Sequence, residues 1–266
     1  MKPYDYQEVG AKEVYSILQK NGLAYMAWEE RCGKSLTAIL VAEMSKAEKI
    51  LILTKKKALG GWNETIKGFK PKKTYTVTNY HQACKLGNDY DLIILDEAHS
   101  YLSAYPKVGK IWKDVFKLTR SKPLIYLSAT PFAETMGQLY NQFRLSTWSP
   151  FKKYKNFYDF HRSWGIPDKT RTPYGLVETY KKVKPEVFKL VEHLFVSKTR
   201  ANLGFEHEPT DNLNYIELDK ATEKLIQQCI KTELLELDDG TIIPLDSPMK
   251  LRTTLYQIEG GFINVK

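Results

Sequence analysis

Only three cysteines, Cys32, Cys84 and Cys229, occur in 266 residues. An odd count without paired spacing argues against a disulfide framework and fits a reducing compartment. No apolar run approaches the roughly 18 residues that a membrane helix needs, so no membrane partner is expected. The opening MKPYDYQEVG carries no apolar stretch of the secretory-signal kind. Internal repeats and low-complexity segments are missing too. His81, His161, His193 and His207 show no metal-ligand spacing. Together these absences predict a soluble, cytoplasmic protein, and a monomer is expected.

What the chain does have is positive charge. Forty Lys and Arg against 31 Asp and Glu give a net charge of +9. A basic balance suits polyanionic partners, because neutralising phosphates releases counterions. It equally suits a lysine-rich solvated surface.

Short apolar runs recur at LAYMAW (23–28), ILILT (50–54), TYTVTN (74–79), DLIILD (91–96) and PLIYLS (123–128). They lack clean polar alternation, which predicts strands covered on both faces. Between them, residues 7–20, 34–46, 57–69 and 106–119 have helical spacing. The alternation predicts an α/β fold with a central parallel sheet flanked by helices. Such sheets bind ligands beyond the carboxyl ends of their strands. WEERCGKS, LTKKK, DEAHS and SATP each stand at such an end, so the four segments converge on one edge.

WEERCGKS (28–35) ends as a phosphate-binding loop ends, G-x-x-x-x-G-K-[ST], but has Trp28 where the first glycine belongs. Gly33 permits close backbone approach to a phosphate, and the helix that follows offers free amides and its positive end. With Arg31 and Cys32, these residues make the candidate cradle. Lys34 is placed to neutralise β- and γ-phosphates and Ser35 to ligate magnesium. The acidic pair closing LIILDE gives a reason for charge at a strand end. Asp96 is suited to hold magnesium, and Glu97 to orient and deprotonate a water. In YLSATP, Ser128 and Thr130 are small hydroxyl residues able to bond the acidic motif.

GKS, DEAH and SAT in this order resemble motifs I, II and III of helicase superfamily two, whose motor is a RecA-like P-loop domain. Tyr6-Gln7 resembles that family's nucleotide-reading glutamine motif. ILILTKKKALGGW (50–62) is similar to motif Ia of Swi/Snf-type translocases, and VTNYHQ (77–82) to motif Ib. SATPFAETMGQLYNQFRLSTWSPF (128–151) is similar to the same group's stretch after motif III. The resemblance implies ATP and magnesium as cofactors and nucleic acid, DNA by expectation, as partner. It implies that Gln7 meets the adenine and that His99, Ser128 and Thr130 couple hydrolysis to movement. Thr54, Lys55, Asn79 and Tyr80 would meet the nucleic-acid backbone.

On this reading residues 1–148 form the RecA-like ATP-binding domain. Residues 149–266 form a smaller, mostly helical region, with helices at 183–195 and 219–234 and a hairpin at 235–245 turning on Asp239-Gly240. PDKTRTPYG (167–175) reads as a loop. The stretch 149–165 interleaves aromatics with basic residues. It suits stacking on single-stranded nucleic acid or a helix that buries Phe157, Phe160 and Trp164 with its lysines in water. Spacings of three and four favour packing.

The pattern also departs from the family. Ser100-Tyr101-Leu102-Ser103 follows DEAH where remodelling enzymes carry an arginine-leucine-lysine-asparagine run. The compact spacing resembles phage helicase-like proteins or restriction-system motors instead. The family's second RecA-like domain carries arginine fingers in Q-x-x-G-R-x-x-R. Here Gln257-Ile258-Glu259-Gly260 is followed by Gly261 and Phe262. The second domain is therefore expected beyond Lys266, and ATP turnover by this chain is expected to be weak. Two alternatives stay open: a hydrolysis-deficient nucleic-acid-binding module of the same fold, and the motor part of a restriction enzyme.

Overall fold

The computed structural model describes residues 1–172, 175–204, 215, 217–237, 239–245 and 247–262. Helix α1 (Asp5–Asn21) leads into β1 (Leu23–Trp28), α2 (Lys34–Met44), β2 (Lys49–Thr54), α3 (Leu59–Phe69) and β3 (Thr74–Asn79). Then come β4 (Leu92–Asp96), the short α4 (His99–Leu102), α5 (Lys110–Thr119), β5 (Leu124–Leu127), α6 (Gln138–Phe143) and α7 (Phe157–Trp164). Strands β6 (Asp168–Thr172) and β7 (Gly175–Thr179) pair with each other antiparallel, and β8 (Phe195–Lys198) follows.

Six strands form one sheet in the order β3-β2-β4-β5-β1-β8, and every pairing in it is parallel. Residues along β1, β2, β4 and β5 are buried on both faces, which explains their continuous apolar runs. Successive side chains point to opposite faces. Tyr25, Leu53, Leu95 and Tyr126 pack with α5, α6 and α7, while Met26, Ile52, Ile94 and Leu127 pack with α1, α2 and α3.

The sixth strand corrects the expected helix at 183–195. Residues Pro185–Leu190 and Glu192–Leu194 form 3-10 turns, and Phe195 opens a strand that pairs with β1 through Tyr25↔Phe195 to Trp28↔Lys198. The segment read as a loop at 167–175 lies largely in the β6–β7 pair. The chain divides into compact units Met1–Glu208 and Pro209–Lys266, so the expected boundary at 148 falls inside the first unit. The cause is plain: α7 and β8 complete the same core and sheet. His207 lies outside the described residues.

The second unit holds α8 (Lys220–Thr232), a hairpin of β9 (Leu234–Glu236) and β10 (Ile242–Pro244), and α9 (Pro248–Glu259). Cys229, Leu235, Leu245 and Ile258 make its small core. Asp239 Oδ1 accepts the Thr241 amide at 2.9 Å and Gly240 sits at φ +80°, the turn chemistry expected there. Among the described residues, no helix is long and apolar enough to cross a membrane.

Candidate nucleotide site

Trp28 takes the place of a glycine because it ends β1 with its side chain turned into the core. Its ring is fully buried against α1, where Gly10 leaves room; a Cβ on Gly10 would lie 2.4 Å from the indole. The loop then turns by other means. Arg31 adopts φ +61° and Gly33 φ +76°, both left-handed, before α2 begins at Lys34. A non-glycine residue in that region is uncommon and carries strain. Glu29 ties the loop to the neighbouring strand, since its amide donates to Lys198 O at 3.0 Å and its carboxylate accepts Arg200 N at 2.7 Å.

Gly33 also admits Gln7, whose Nε2 a Cβ there would strike at 2.2 Å. The Gln7 amide donates to Gly33 O at 3.1 Å and its carbonyl accepts Tyr4 N at 2.9 Å. Gln7 is only 3% exposed. Both ends of its amide are thus used by the protein, and its work here is to brace α1 against the loop. Gln7, expected to meet the adenine, also lines the cavity beside the loop. Tyr4, Tyr6, Arg31, Lys34 and Ser35 help line a cavity of about 640 Å³ above the start of α2. Cys32 is buried, which pushes its thiol pKa up; it contributes backbone to the loop.

Lys34 folds back to donate to Trp28 O at 2.9 Å and Glu29 O at 2.8 Å. Burial lowers its pKa, and the Glu97 and Asp96 carboxylates oppose that shift. The ammonium of the loop and the two acids of β4 therefore share one electrostatic environment.

Asp96 ends β4 with its carboxylate held on one side. Thr54 Oγ1 donates to Asp96 Oδ2 at 2.6 Å and the Trp62 indole donates to the same oxygen at 2.8 Å. Tyr80 donates to the Asp96 backbone carbonyl at 2.8 Å. These contacts overturn two expected nucleic-acid contacts. Thr54 is 0% and Tyr80 1% exposed, and their hydroxyls are spent on Asp96. Asn79 is likewise occupied locally, accepting His81 N at 3.0 Å as the cap of a 3-10 turn. The sequence reading missed Trp62 as a partner of the acid; the tryptophan closing motif Ia was the available signal.

Glu97 stands at φ +52°, a second strained non-glycine residue. Burial, then the Asp96 charge, raises its pKa, against the pull of Lys55 and Lys34. Lys55 Nζ lies 3.8 Å from Glu97 Oε2, so this lysine faces the acid. His99 Nδ1 lies 3.4 Å from Glu97 and 2.8 Å from Ser128 Oγ, which accepts Thr130 N at 3.0 Å. Burial lowers the His99 pKa, which favours the neutral ring. A hydrogen-bonded path thus runs from Thr130 through Ser128 and His99 to the edge of Glu97.

Among the described residues, no group of three His, Cys, Asp or Glu side chains could hold a metal alone. Magnesium is commonly held by one or two protein oxygens, with phosphates and waters completing its shell. Ser35 and Asp96 supply oxygens of that kind, and the Asp96 carboxylate has its Oδ1 left over from the two donors on Oδ2.

The structure covers 98% of this chain in a match to the Sulfolobus solfataricus SWI2/SNF2 ATPase core domain, with a TM-score of 0.55 and 16% identity, and spans 58% of that chain. The shared fold is that of a SWI2/SNF2 ATPase core, a six-stranded parallel sheet flanked by helices. In sequence, 184 residues are 26% identical to the Caenorhabditis elegans SWI/SNF-related matrix-associated actin-dependent regulator of chromatin subfamily A-like protein 1 homolog. That match takes in 59% of this chain and a quarter of the relative's length. A looser likeness, TM-score 0.35 over 49% of this chain and 18% of the other at 15% identity, is to a nuclease-deletion mutant of the Type ISP restriction-modification enzyme LlaGI in complex with a DNA substrate mimic. No protein-family model matches.

Proposed function

We propose that this chain is the ATP-binding lobe of a nucleic-acid-dependent ATPase motor, acting on DNA. The observation that carries the proposal is the convergence of Lys34 with Asp96 and Glu97 at the carboxyl edge of one parallel sheet. Lys34 leaves the two loop carbonyls to meet the β- and γ-phosphates, and the first amides of α2 supply further donors. Ser35 and Asp96 would hold magnesium, which when bound would offset the charge of the phosphates. Glu97, with its raised pKa, takes the proton of the attacking water. Ser128, Thr130 and His99 register the state of that acid.

The test is equilibrium binding of a fluorescent ATP analogue with magnesium, beside turnover with and without DNA. Saturable binding lost in Lys34→Ala, with DNA-stimulated turnover, supports the proposal. Binding unaffected by Lys34→Ala contradicts it.

A further inference from the structure

The basic, aromatic stretch at 149–165 is not absorbed by the nucleotide site. Its aromatics pack inward, since Phe151, Phe157 and Phe160 are buried and join Tyr140 and Phe143 in the core. Its lysines do something else. Lys152 and Lys155, with Arg120 at the end of α5 and Arg144 at the end of α6, converge on a hollow of about 280 Å³. Among the described residues, no carboxylate lines it. Two acids on the neighbouring helices are engaged elsewhere: Asp114 pairs with Lys117, and Asp159 with Arg162 and the Lys155 backbone amide.

Two buried hydroxyls also line the hollow. Ser146 and Ser149 are 4% and 2% exposed. Each oxygen accepts a backbone amide, Trp148 N and Phe151 N respectively, both at 3.1 Å. A hydroxyl that accepts one bond keeps its own proton to donate. The site is therefore rich in donors and positive charge. Arg120 and Arg144 suit helix carboxyl ends in any case. Lys155 does not fit that reading, because it stands just before α7, at the end of a helix that favours anions. Holding four cations together costs Coulomb energy that an anion offsets.

We propose that Arg120, Arg144, Lys152 and Lys155, with Ser146 and Ser149, form a phosphate-binding site separate from the nucleotide cavity. Arg120 leads into the start of β5, and Thr147 N donates to Arg120 O at 2.9 Å. That places the site toward the amino ends of the strands, away from Lys34 and Glu97. Arginine, lysine and serine are the side chains that meet nucleic-acid backbones without reading sequence. A strand phosphate and a free phosphate share this chemistry.

The variant Arg120→Gln, Lys152→Gln, Lys155→Gln changes exposed side chains only, and thermal melting checks its fold. Affinity for a short DNA duplex, without nucleotide, is read by fluorescence anisotropy between about 50 and 200 mM salt. A strand phosphate predicts weaker binding and a log–log salt slope shallower by about one for each cation that meets a phosphate. Inorganic phosphate is titrated in parallel by ³¹P NMR. A free-phosphate site predicts saturable binding lost in the variant while the DNA curves coincide. If the folded variant matches the native chain in both titrations, the site is refuted. Lys34→Ala should leave the DNA titration without nucleotide unchanged, which separates this site from the nucleotide proposal.

Discussion

The Trp62 indole donates to Asp96 Oδ2 at 2.8 Å, joining α3 to the acid that ends β4. Thr54 donates to the same oxygen. The carboxylate is thereby fixed with Oδ2 engaged by protein and Oδ1 left for a cation. Trp62→Phe keeps an aromatic side chain, though a smaller one, and removes the donor. A hydrogen bond to a charged group contributes about 1.5–3 kcal/mol, so urea denaturation should show a loss of that order. The magnesium concentration that half-saturates ATP turnover should rise as well. An unchanged magnesium dependence would mean that Trp62 only fills space.

On the proposed function, Glu97 carries the pH dependence of the rate. As a base it must be deprotonated, so the rate falls as pH drops through its raised pKa, above the ordinary glutamate range. Lys55 pulls that value down. Lys55→Gln should therefore move the acid limb of the rate profile to higher pH. Stability runs the opposite way. With a folded pKa above the unfolded one, the contribution of Glu97 is present below the unfolded value and lost as pH rises through the folded value. Glu97→Gln should be more stable than the native chain at alkaline pH, with the difference vanishing in acid.

Gly10→Ala tests the substitution of tryptophan for glycine in the loop. The added Cβ would meet two indole carbons of Trp28 at 2.4 and 2.5 Å in a fully buried site. Overpacking costs about 1–3 kcal/mol, against about 1 kcal/mol of helix propensity gained. A net loss in denaturant midpoint is expected, relieved in the double variant with Trp28→Leu. An equal loss with and without Trp28 would show that the crowding lies elsewhere.

Of the five strands read in the sequence, β1, β2, β4 and β5 were legible because burial on both faces writes itself as an apolar run, whereas the half-buried edge strand β3 is rich in β-branched and aromatic residues. The sixth was not legible. FVSK is four residues long and follows Val187, Val191 and Leu194, whose spacing mimics a helix while the backbone forms 3-10 turns. The extent of the first compact unit past 148 was hidden for a similar reason, because it rests on β8 pairing with β1 and on α7 packing into the same core. In the candidate site, Lys34 and Ser35 follow the carboxyl end of β1, and Asp96 and Glu97 lie at that of β4, the strand-end positions that the apolar runs of the sequence mark out. The partners of Thr54 and Tyr80 were not legible, because a hydroxyl at a strand end looks the same whether it faces solvent, a carboxylate or a backbone carbonyl. For Thr54 the distinction lies in the parallel pairing of β2 beside β4, whose register sets Leu53 against Leu95.

The central claim is that Lys34 and Glu97 act on one phosphate. Single-turnover hydrolysis by the native chain, Lys34→Ala, Glu97→Gln and the double variant measures it directly. Groups that act as a unit are strongly non-additive. The predicted result is that the double variant is scarcely slower than the worse single variant, with ATP binding kept in Glu97→Gln. Rate losses that multiply in the double variant would contradict it.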